Sequence, residues 1–406
     1  MTNWAGNIAF DPGRLHRPGS VDELRRLVAA STRIRALGSG HSFSTLLEAP
    51  GELVSVAGLP PVMRLDGSSV TVAGGVRYGE LATYLDRAGF ALPNLGSLPH
   101  ISVAGACSTG THGSGDGNGN MTTAVSAVEL VTADGDLVTV RRGDADFPGV
   151  ALGLGGVGIV TRLTLDLVPA FELRQYVYDN LPLEQAIGHL DEILASAYSV
   201  SLFTGWSAPR IDQVWLKTRA GSVPPSRWGA VLADGPRHPI AGLPPEQSTE
   251  QLGVPGPWYA RLPHFRLEFT PSSGDELQSE FLVPRSAGVA ALRAVAGIRE
   301  LLAPVLQVAE IRSVAADELW VSPSYRRDSV ALHFTWVKDG AALAPVLPVL
   351  EAALAPLAAR PHWAKLFVAQ DVRGLYPRWA DFVALLSRYD PAGKFRNDFL
   401  DRYFPA

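Results

Sequence analysis

The feature that most limits how this chain can fold is a long run of small residues at 97–120. Gly, Ser, Thr and Ala dominate the run, and His100 and His112 interrupt it. Small side chains let a backbone approach a ligand closely and direct several N–H donors at one anionic group, such as a diphosphate. An ordinary surface loop is the alternative, but the run is too long for a simple turn. We therefore predict a cradle for a dinucleotide.

A second glycine cluster, at 153–158, matches the pattern G-x-G-x-x-G that is typical of Rossmann dinucleotide-binding folds. In those folds the pattern follows a strand and opens a helix. Here apolar and polar residues alternate from Ile159 onward, which predicts a strand. We therefore reject the Rossmann interpretation and expect these glycines to allow close backbone contact elsewhere on the same cofactor.

The length of 406 residues exceeds what one hydrophobic core usually organises. Ser20, with Glu23 three residues later, predicts the start of a helix. Alternating strands follow in the first part, and Ala-rich helices are expected at about 286–303 and 340–358. We predict an α+β protein with domains at 1–170 and 171–370. The turn-rich segment at 371–406 is expected to return to the first domain.

Composition excludes several classes of function. The net charge is −5, and Lys and Arg form no runs with interleaved aromatics, so we expect no nucleic-acid partner. We expect no apolar stretch as long as the roughly 18 residues that a membrane helix needs. The first ten residues lack the basic and apolar parts of a signal peptide, so we expect a cytoplasmic protein without a membrane partner. The single cysteine, Cys107, excludes an intramolecular disulfide and a thiolate metal cage, and we predict no metal.

Several motifs occur in an order and spacing that resemble the FAD domain of the vanillyl-alcohol-oxidase family. They are NWAGN at 3–7, GSGHSF at 38–43, LPHISVAG at 98–105, TGTHG at 109–113 and GIVT at 158–161. Within that family, EIR at 310–312, HFTW at 333–336 and HWAK at 362–365 resemble the substrate domain of the aldonolactone and alditol oxidases. The resemblance spans nearly the whole chain. It implies a PCMH-type FAD-binding fold with a mixed α/β substrate domain.

The resemblance implies that FAD is covalently bound through His41. A neutral imidazole is a competent nucleophile toward an electrophilic flavin tautomer, and small neighbours let the ring approach. A lone histidine is more often a polar core or surface residue, and here the Gly-Ser-Gly setting and the companion motifs favour attachment. The FAD site implied by the resemblance comprises Gly38, Ser39, Gly40, His41, Ser42, Phe43, Ser97, Ser102, Gly105, Thr109, Gly110, Thr111, His112, Ile159, Val160 and His362.

Cys107 raises the question of a second attachment point, because some relatives hold the flavin through both His and Cys. The thiol lies among small residues, where it can pack as a small apolar group. The alditol oxidases that the chain resembles use His alone. We therefore predict an unmodified thiol.

Two predicted strands supply candidate substrate residues. Glu310 and Arg312 are two positions apart and would project from one face, as would His333 and Thr335. An exposed strand would also carry polar residues on one face, so the alternation alone does not establish a site. The resemblance adds Ser97 and Lys365, which completes a set of donors and acceptors suited to a neutral, hydroxyl-rich chain.

The activity implied by the resemblance is oxidation of the C1 primary alcohol of an alditol, such as xylitol or sorbitol, to the aldose. O2 would be reduced to hydrogen peroxide, and we expect a monomer whose partners are the polyol and O2. Arg312, Lys365 and His333 are the candidate catalytic residues. Three alternatives remain open: an aldonolactone oxidase, a dehydrogenase that uses an acceptor other than oxygen, and a non-catalytic sugar-binding protein.

Overall fold

The computed structural model describes residues 1–9, 13–49, 51–219, 228–269, 274–369 and 371–405. The strands are β1 (Arg14–His16), β2 (Ile34–Ala36), β3 (Glu52–Val54), β4 (Met63–Asp66), β5 (Ser69–Ala73), β6 (Phe90–Ala91), β7 (Val125–Val131), β8 (Leu137–Arg141), β9 (Ile159–Asp166), β10 (Val168–Pro169), β11 (Glu172–Pro182), β12 (Ser199–Thr204), β13 (Arg210–Arg219), β14 (Val231–Leu232), β15 (Gly256–Pro257), β16 (Glu276–Pro284), β17 (Leu306–Val314), β18 (Ser329–Val337) and β19 (Arg360–Pro361).

The α-helices are α1 (Val21–Ala30), α2 (Tyr78–Arg87), α3 (Val103–Thr109), α4 (Phe147–Val150), α5 (Leu183–Gly188), α6 (Leu190–Ala195), α7 (Gly288–Gly297), α8 (Arg299–Leu302), α9 (Gly340–Leu343), α10 (Val346–Leu354), α11 (Trp379–Tyr389) and α12 (Asp398–Tyr403). Short 3₁₀ helices lie at Thr45–Leu47, Val56–Gly58, Met121–Ala124, Pro245–Gln247, Trp258–Ala260, Arg285–Ala287, Ala303–Val305, Ala355–Leu357 and Arg373–Leu375.

The first part of the chain forms two larger sheets and a two-stranded antiparallel sheet of β10 and β6. One has three parallel strands in the order β1-β3-β2, and the other has five antiparallel strands in the order β4-β5-β9-β7-β8. Helix α1 begins where its sequence predicts, because Ser20 Oγ accepts a hydrogen bond from the Glu23 N–H. Its buried residues Leu24 and Val28 pack beside Ile159 of β9, which joins the helix to the five-stranded sheet.

The second part is built on a nine-stranded antiparallel sheet in the order β14-β11-β13-β12-β17-β18-β16-β19, with β15 paired to β11. Side chains alternate between its two faces. Ile311 of β17 and Leu332 of β18 pack with Leu292 of α7 and Leu350 of α10 in one core, so the helices cover this face. The residues that alternate with these core residues along each strand point to the opposite face, and most of them are polar.

The C-terminal helices pack against the first part of the chain. Trp379 and Phe382 of α11 and Phe399 of α12 share a core with Val70 and Val128 of the five-stranded sheet. Burial of large aromatic side chains contributes strongly to the stability of a hydrophobic core. The boundaries at 170 and 370 themselves stay a prediction.

The expectation that no apolar stretch reaches the length of a membrane helix is wrong. The helical run Gly340–Leu357 has 18 residues with a mean hydropathy of 1.6, so the described part of the chain does contain one helix that meets the length and composition of a membrane span. Its residues Leu343, Leu347, Leu350 and Leu354 pack in the core of the second part. These four leucines face the core, but only 28% of the run is buried.

Candidate active site

A cavity of about 650 Å³ is lined by residues from both parts of the chain. It brings together predicted site residues that lie far apart in sequence. Gly110 and Ile159 are the two predicted residues that are not in its wall. The predicted residues that line it are Gly38, Ser39, Gly40, His41, Ser42, Phe43, Ser97, Ser102, Gly105, Thr109, Thr111, His112, Val160, Glu310, Arg312, His333, Thr335, His362 and Lys365.

The two exceptions have local causes. Gly110 ends α3 in the left-handed conformation, with φ +70°, and so serves as the helix C-cap. Ile159 is fully buried in the core beside Val131. Because successive strand residues face opposite sides, its neighbour Val160 faces the cavity instead.

The loop at 38–43 follows β2 and presents His41 to the cavity. The imidazole stacks on Trp4 with 5.1 Å between ring centroids. Its Nδ1 atom is buried and has no hydrogen-bond partner. Burial lowers the pKa of His41 to about 4, and the positive charge of Lys365 acts in the same direction. His41 is therefore neutral near pH 7, with a nitrogen lone pair available for bonding.

Small residues around α3 form a close-fitting part of the cavity wall. A Cβ at Gly38 or at Gly105 would lie 2.8 Å from Ser102 Oγ, closer than real Cβ atoms come to other groups. Ser102 Oγ is itself buried without a hydrogen-bond partner. Gly38, Ser102 and Gly105 all line the cavity, so this part of its wall is built from small, closely packed residues.

Cys107 lies on the opposite side of α3. Its side chain is buried, and its Sγ atom is 3.3 Å from the Tyr78 hydroxyl. Burial raises the pKa of the thiol to about 12. The cavity wall contains its neighbours Ala106 and Ser108 but not Cys107. A protonated thiol that faces away from the cavity is poorly placed to react with a ligand there.

The polar face of the second sheet supplies the opposite wall. His333 of β18 pairs with Glu310 of β17 on one side and with Glu280 of β16 on the other. Thr335, two residues along β18, pairs with Gln278 of β16. Because positions two apart share a face, this register places these polar groups side by side.

Buried ion pairs link the side chains of this wall to one another. Arg312 Nη2 lies 2.5 Å from Glu280 Oε1, and Arg312 Nε lies 3.5 Å from Glu310 Oε2. Arg312 Nη1 also donates to Ser97 Oγ at 3.4 Å. Burial acts to raise the pKa of Glu310, but Arg312 and His264 outweigh it and hold that pKa well below its usual range. Both carboxylates are therefore ionised and share one guanidinium.

Histidines surround Glu280. His112 Nε2 is 3.2 Å from Glu280 Oε1, and His333 Nδ1 is 3.5 Å from Oε2. Ligand atoms of His112, Glu280 and His362 lie within 4.8 Å of one another, a spacing that a metal ion could use. Arg312 already binds the same Glu280 oxygen, however. The Arg312 guanidinium thus supplies the positive charge beside this carboxylate, and we assign no metal to the group.

Lys365 closes the wall near the His41 loop. Its Nζ atom donates to Gln278 Oε1 and lies 5.0 Å from the centroid of the Phe43 ring. Burial lowers the pKa of Lys365 to about 8, against the opposing effect of Glu280. The ammonium group is thus still largely charged at pH 7, but close to losing its proton.

Comparison with known proteins identifies the family. A family model described as an FAD binding domain matches residues 12–141, and one described as D-arabinono-1,4-lactone oxidase matches residues 275–403. The alditol oxidase of a Streptomyces species is 50% identical over 407 positions, which cover 98% of each chain. The chain belongs to the alditol oxidase family of FAD-binding proteins.

Other relatives of this family are more distant. The L-gulono-1,4-lactone dehydrogenase of Mycobacterium tuberculosis is 28% identical, over 99% of this chain and 98% of that one. Among solved structures, cholesterol oxidase from B. sterolicum has a TM-score of 0.80 at 15% identity, over 100% of this chain and 96% of that one. The predicted vanillyl-alcohol-oxidase resemblance and the α+β fold with a PCMH-type FAD-binding domain are confirmed.

The alditol oxidase family site contains residues that sequence reasoning missed. Gln278 and Glu280 alternate on β16, so the argument used for β17 and β18 could have found them. His264 lies in a loop and bonds Glu310 Oε1 at 2.7 Å. Lys217 lies on β13 and contacts His264. No local sequence signal distinguishes these last two from ordinary polar residues.

Proposed function

We propose that this chain is an FAD-dependent alditol oxidase that converts the C1 primary alcohol of alditols such as xylitol and sorbitol to the aldose, with reduction of O2 to hydrogen peroxide. The full-length similarity to an alditol oxidase supports this function. The observation that carries it is the convergence of Glu310, Arg312, His333 and Lys365 on a cavity whose other wall is lined by small residues. Buried donors and acceptors of this kind favour a hydroxyl-rich substrate over analogues that lack a hydroxyl.

The residues present fit FAD. Gly38, Ser102 and Gly105 line the cavity with little side-chain bulk, which supports close approach of a diphosphate to the backbone. His41 offers a buried, neutral nitrogen without a protein partner, which suits covalent attachment to the flavin. We propose attachment through His41 alone, since Cys107 faces away from the cavity.

Each side chain has a role that its contacts support. Bound FAD would supply a two-electron acceptor for the hydride lost from the substrate C1 carbon, and O2 with two protons would be the final acceptor that yields hydrogen peroxide. Arg312 and Lys365 would orient the C1 hydroxyl. Burial lowers the pKa of His333, so its neutral imidazole could accept the hydroxyl proton. Glu310 would accept hydrogen bonds from hydroxyls further along the polyol.

Lys365 would have a second role, because a fixed positive charge stabilises negative charge that develops during the reaction. Ser97 and Thr335 carry hydroxyls that can both donate and accept. Thr335 Oγ1 lies 3.3 Å from His333 Nε2, so it also helps to hold that ring. This division assigns charge stabilisation to Lys365 and contacts with the substrate hydroxyls to Glu310, Arg312, Ser97 and Thr335.

Two alternatives have specific support. The match to a lactone oxidase family model favours an aldonolactone substrate, and the similarity to a lactone dehydrogenase favours an acceptor other than oxygen. Initial rates with xylitol, sorbitol and gulonolactone, together with the peroxide yield under air, test all three functions. We expect turnover of the alditols with one peroxide per aldose. Preference for gulonolactone would favour the first alternative, and aldose formation that requires an added acceptor would favour the second.

We also propose a cytoplasmic monomer. The expected location follows from the first ten residues, which lack the basic and apolar parts of a signal peptide. Sedimentation of the purified protein tests the monomer, and fractionation of the producing cells tests the location. Recovery in the membrane fraction would contradict it.

A further inference from the structure

Lys217 is a fully buried lysine that the proposed mechanism does not use. It lies on β13, with a residue exposure of 1%. Its Nζ atom donates to the Leu262 carbonyl at 2.5 Å and the Pro263 carbonyl at 3.1 Å, and it lies 3.2 Å from His264 Nδ1. Burial lowers the pKa of Lys217 to about 7, and in its charged form the ammonium group has three donors for these three acceptors. Burying a positive charge costs free energy. A buried lysine with three polar partners therefore suggests a functional role.

The contact to His264 determines how that ring bonds. Burial lowers the pKa of His264 to about 4, so the ring is neutral near pH 7 and carries one N–H. Because Lys217 donates to Nδ1, the proton lies on Nε2. The Nε2–H then donates to Glu310 Oε1 at 2.7 Å. The Glu310 carboxylate, which can only accept, favours the same tautomer, so Lys217 and Glu310 together fix the ring between them.

The same loop also holds Ser97. The backbone N–H of His264 donates to the Ser97 carbonyl at 3.1 Å, and that of Phe265 does so at 3.4 Å. Two proposed substrate residues, one from each part of the chain, are thus tied to a loop that Lys217 anchors. Placement to within a fraction of an ångström requires this kind of support behind the contacting residues.

Glu310 has an alternative partner that makes this support necessary. Arg312 Nε lies 3.5 Å from Glu310 Oε2 and has no hydrogen-bond partner of its own. A carboxylate that is free to rotate would pair more closely with this guanidinium, which favours bidentate contacts. The hydrogen bond from His264 to Oε1 opposes that rotation, so Oε2 remains an acceptor for a ligand hydroxyl.

We propose that Lys217 and His264 are positioning residues that hold Glu310 in the orientation in which it accepts a hydrogen bond from a polyol hydroxyl. The inference rests on the proposed function, because it takes Glu310 as a substrate contact. It goes beyond that function by assigning polyol affinity to Lys217, which lies outside the cavity wall, and to His264, which lines the cavity and acts through Glu310. Loss of either should weaken polyol binding more than it slows the reaction of bound polyol.

The test is a double-mutant cycle on the flavin-loaded protein. His264→Phe keeps the ring and removes both hydrogen bonds, and Glu310→Gln removes the carboxylate charge. The xylitol concentration for half-maximal anaerobic flavin reduction is measured for each single variant and for the pair. We expect His264→Phe to raise that concentration about tenfold to a hundredfold, the effect of one hydrogen bond to a charged group. In the Glu310→Gln background it should add little, because both changes act on one contact.

Two further variants guard against misfolding. His264→Gln retains a donor and an acceptor and should fall between the unmodified protein and His264→Phe. Lys394→Met is the matched control, since Lys394 Nζ also donates to backbone carbonyls, those of Val28 and Ala133, but lies outside the cavity wall. It should lower thermal stability and leave xylitol half-saturation unchanged, whereas Lys217→Met should raise half-saturation.

The outcomes separate this inference from the proposed function. Fully additive effects of His264→Phe and Glu310→Gln would overturn the inference while the oxidase function stands. The same holds if His264→Phe lowers only the maximal reduction rate. If His264→Phe does not retain flavin, additivity of His264→Gln with Glu310→Gln is the result that overturns it. An unmodified protein that xylitol does not reduce would overturn the proposed function, and the inference with it.

Discussion

Replacing Lys365 by Met tests the division of labour in the proposed site. Met keeps a long, unbranched side chain but removes the ammonium group that donates to Gln278 Oε1 and lies 5.0 Å from the Phe43 ring centroid. If this charge stabilises the reduced cofactor, its loss removes an interaction made mainly in the transition state. One such contact is worth about 3 kcal/mol, which corresponds to a roughly hundredfold lower rate of flavin reduction.

Glu310→Gln provides the contrast, because its role is a contact with bound substrate. Removal of a hydrogen bond to a charged group costs about 1.5–3 kcal/mol. If that contact is equally strong in the ground and transition states, the half-saturating alditol concentration rises roughly tenfold to a hundredfold and the maximal rate changes little. The two variants should therefore differ in which parameter changes.

Anaerobic stopped-flow reduction across a xylitol concentration series measures both parameters. The pH dependence adds an independent check. Since burial lowers the pKa of Lys365 to about 8, its ammonium group is present below that pH and is lost as the pH rises through it. The maximal reduction rate of the unmodified protein should fall over that range, and the profile of Lys365→Met should lack this step. An unchanged maximal rate in Lys365→Met would remove the residue from the mechanism.

Three further predictions concern the cofactor and the packing. Yellow colour should remain with the acid-precipitated protein and be lost from the precipitate of His41→Ala, and release of flavin from the unmodified protein would refute covalent attachment. Cys107→Val should retain the attached flavin because the thiol faces Tyr78 rather than the cavity; a flavin peptide joined to Cys107 in the mass spectrum would overturn this. Asn397→Ala removes the N-cap of α12 and hydrogen bonds to the carbonyls of Leu46 and Glu48. The free energy of unfolding measured in urea should fall by roughly 2 kcal/mol or more. An unchanged urea midpoint would contradict the role of the C-terminal segment in stabilising the first part of the chain.

The sequence predicted those features that depend on local chemistry. The start of α1 follows from Ser20 and Glu23, which bond as a cap regardless of the rest of the fold. Strand alternation alone predicts that Glu310 shares a face with Arg312 and that His333 shares a face with Thr335. The motifs also supplied much of the cavity wall, apart from Gly110, which caps α3, and Ile159, where the choice between adjacent strand residues depended on which face packs against α1.

The remaining features depend on long-range pairing, which a single sequence does not specify. Glu280 joins the site because β16 pairs with β18 in a register that sets it opposite His333. Lys217 and His264 meet because a loop folds onto β13, and neither residue belongs to a recognisable local pattern. Support for a site is contributed by residues whose proximity only the tertiary fold creates.

The most direct test of the central proposal is a single-turnover experiment on the protein with its bound flavin. The protein is mixed anaerobically with xylitol in one sample and with gulonolactone in another, and flavin bleaching and products are measured. We predict that xylitol bleaches the flavin and yields one aldose per flavin, and that air then restores the colour with release of hydrogen peroxide. Bleaching by gulonolactone but not by xylitol would contradict the proposed function.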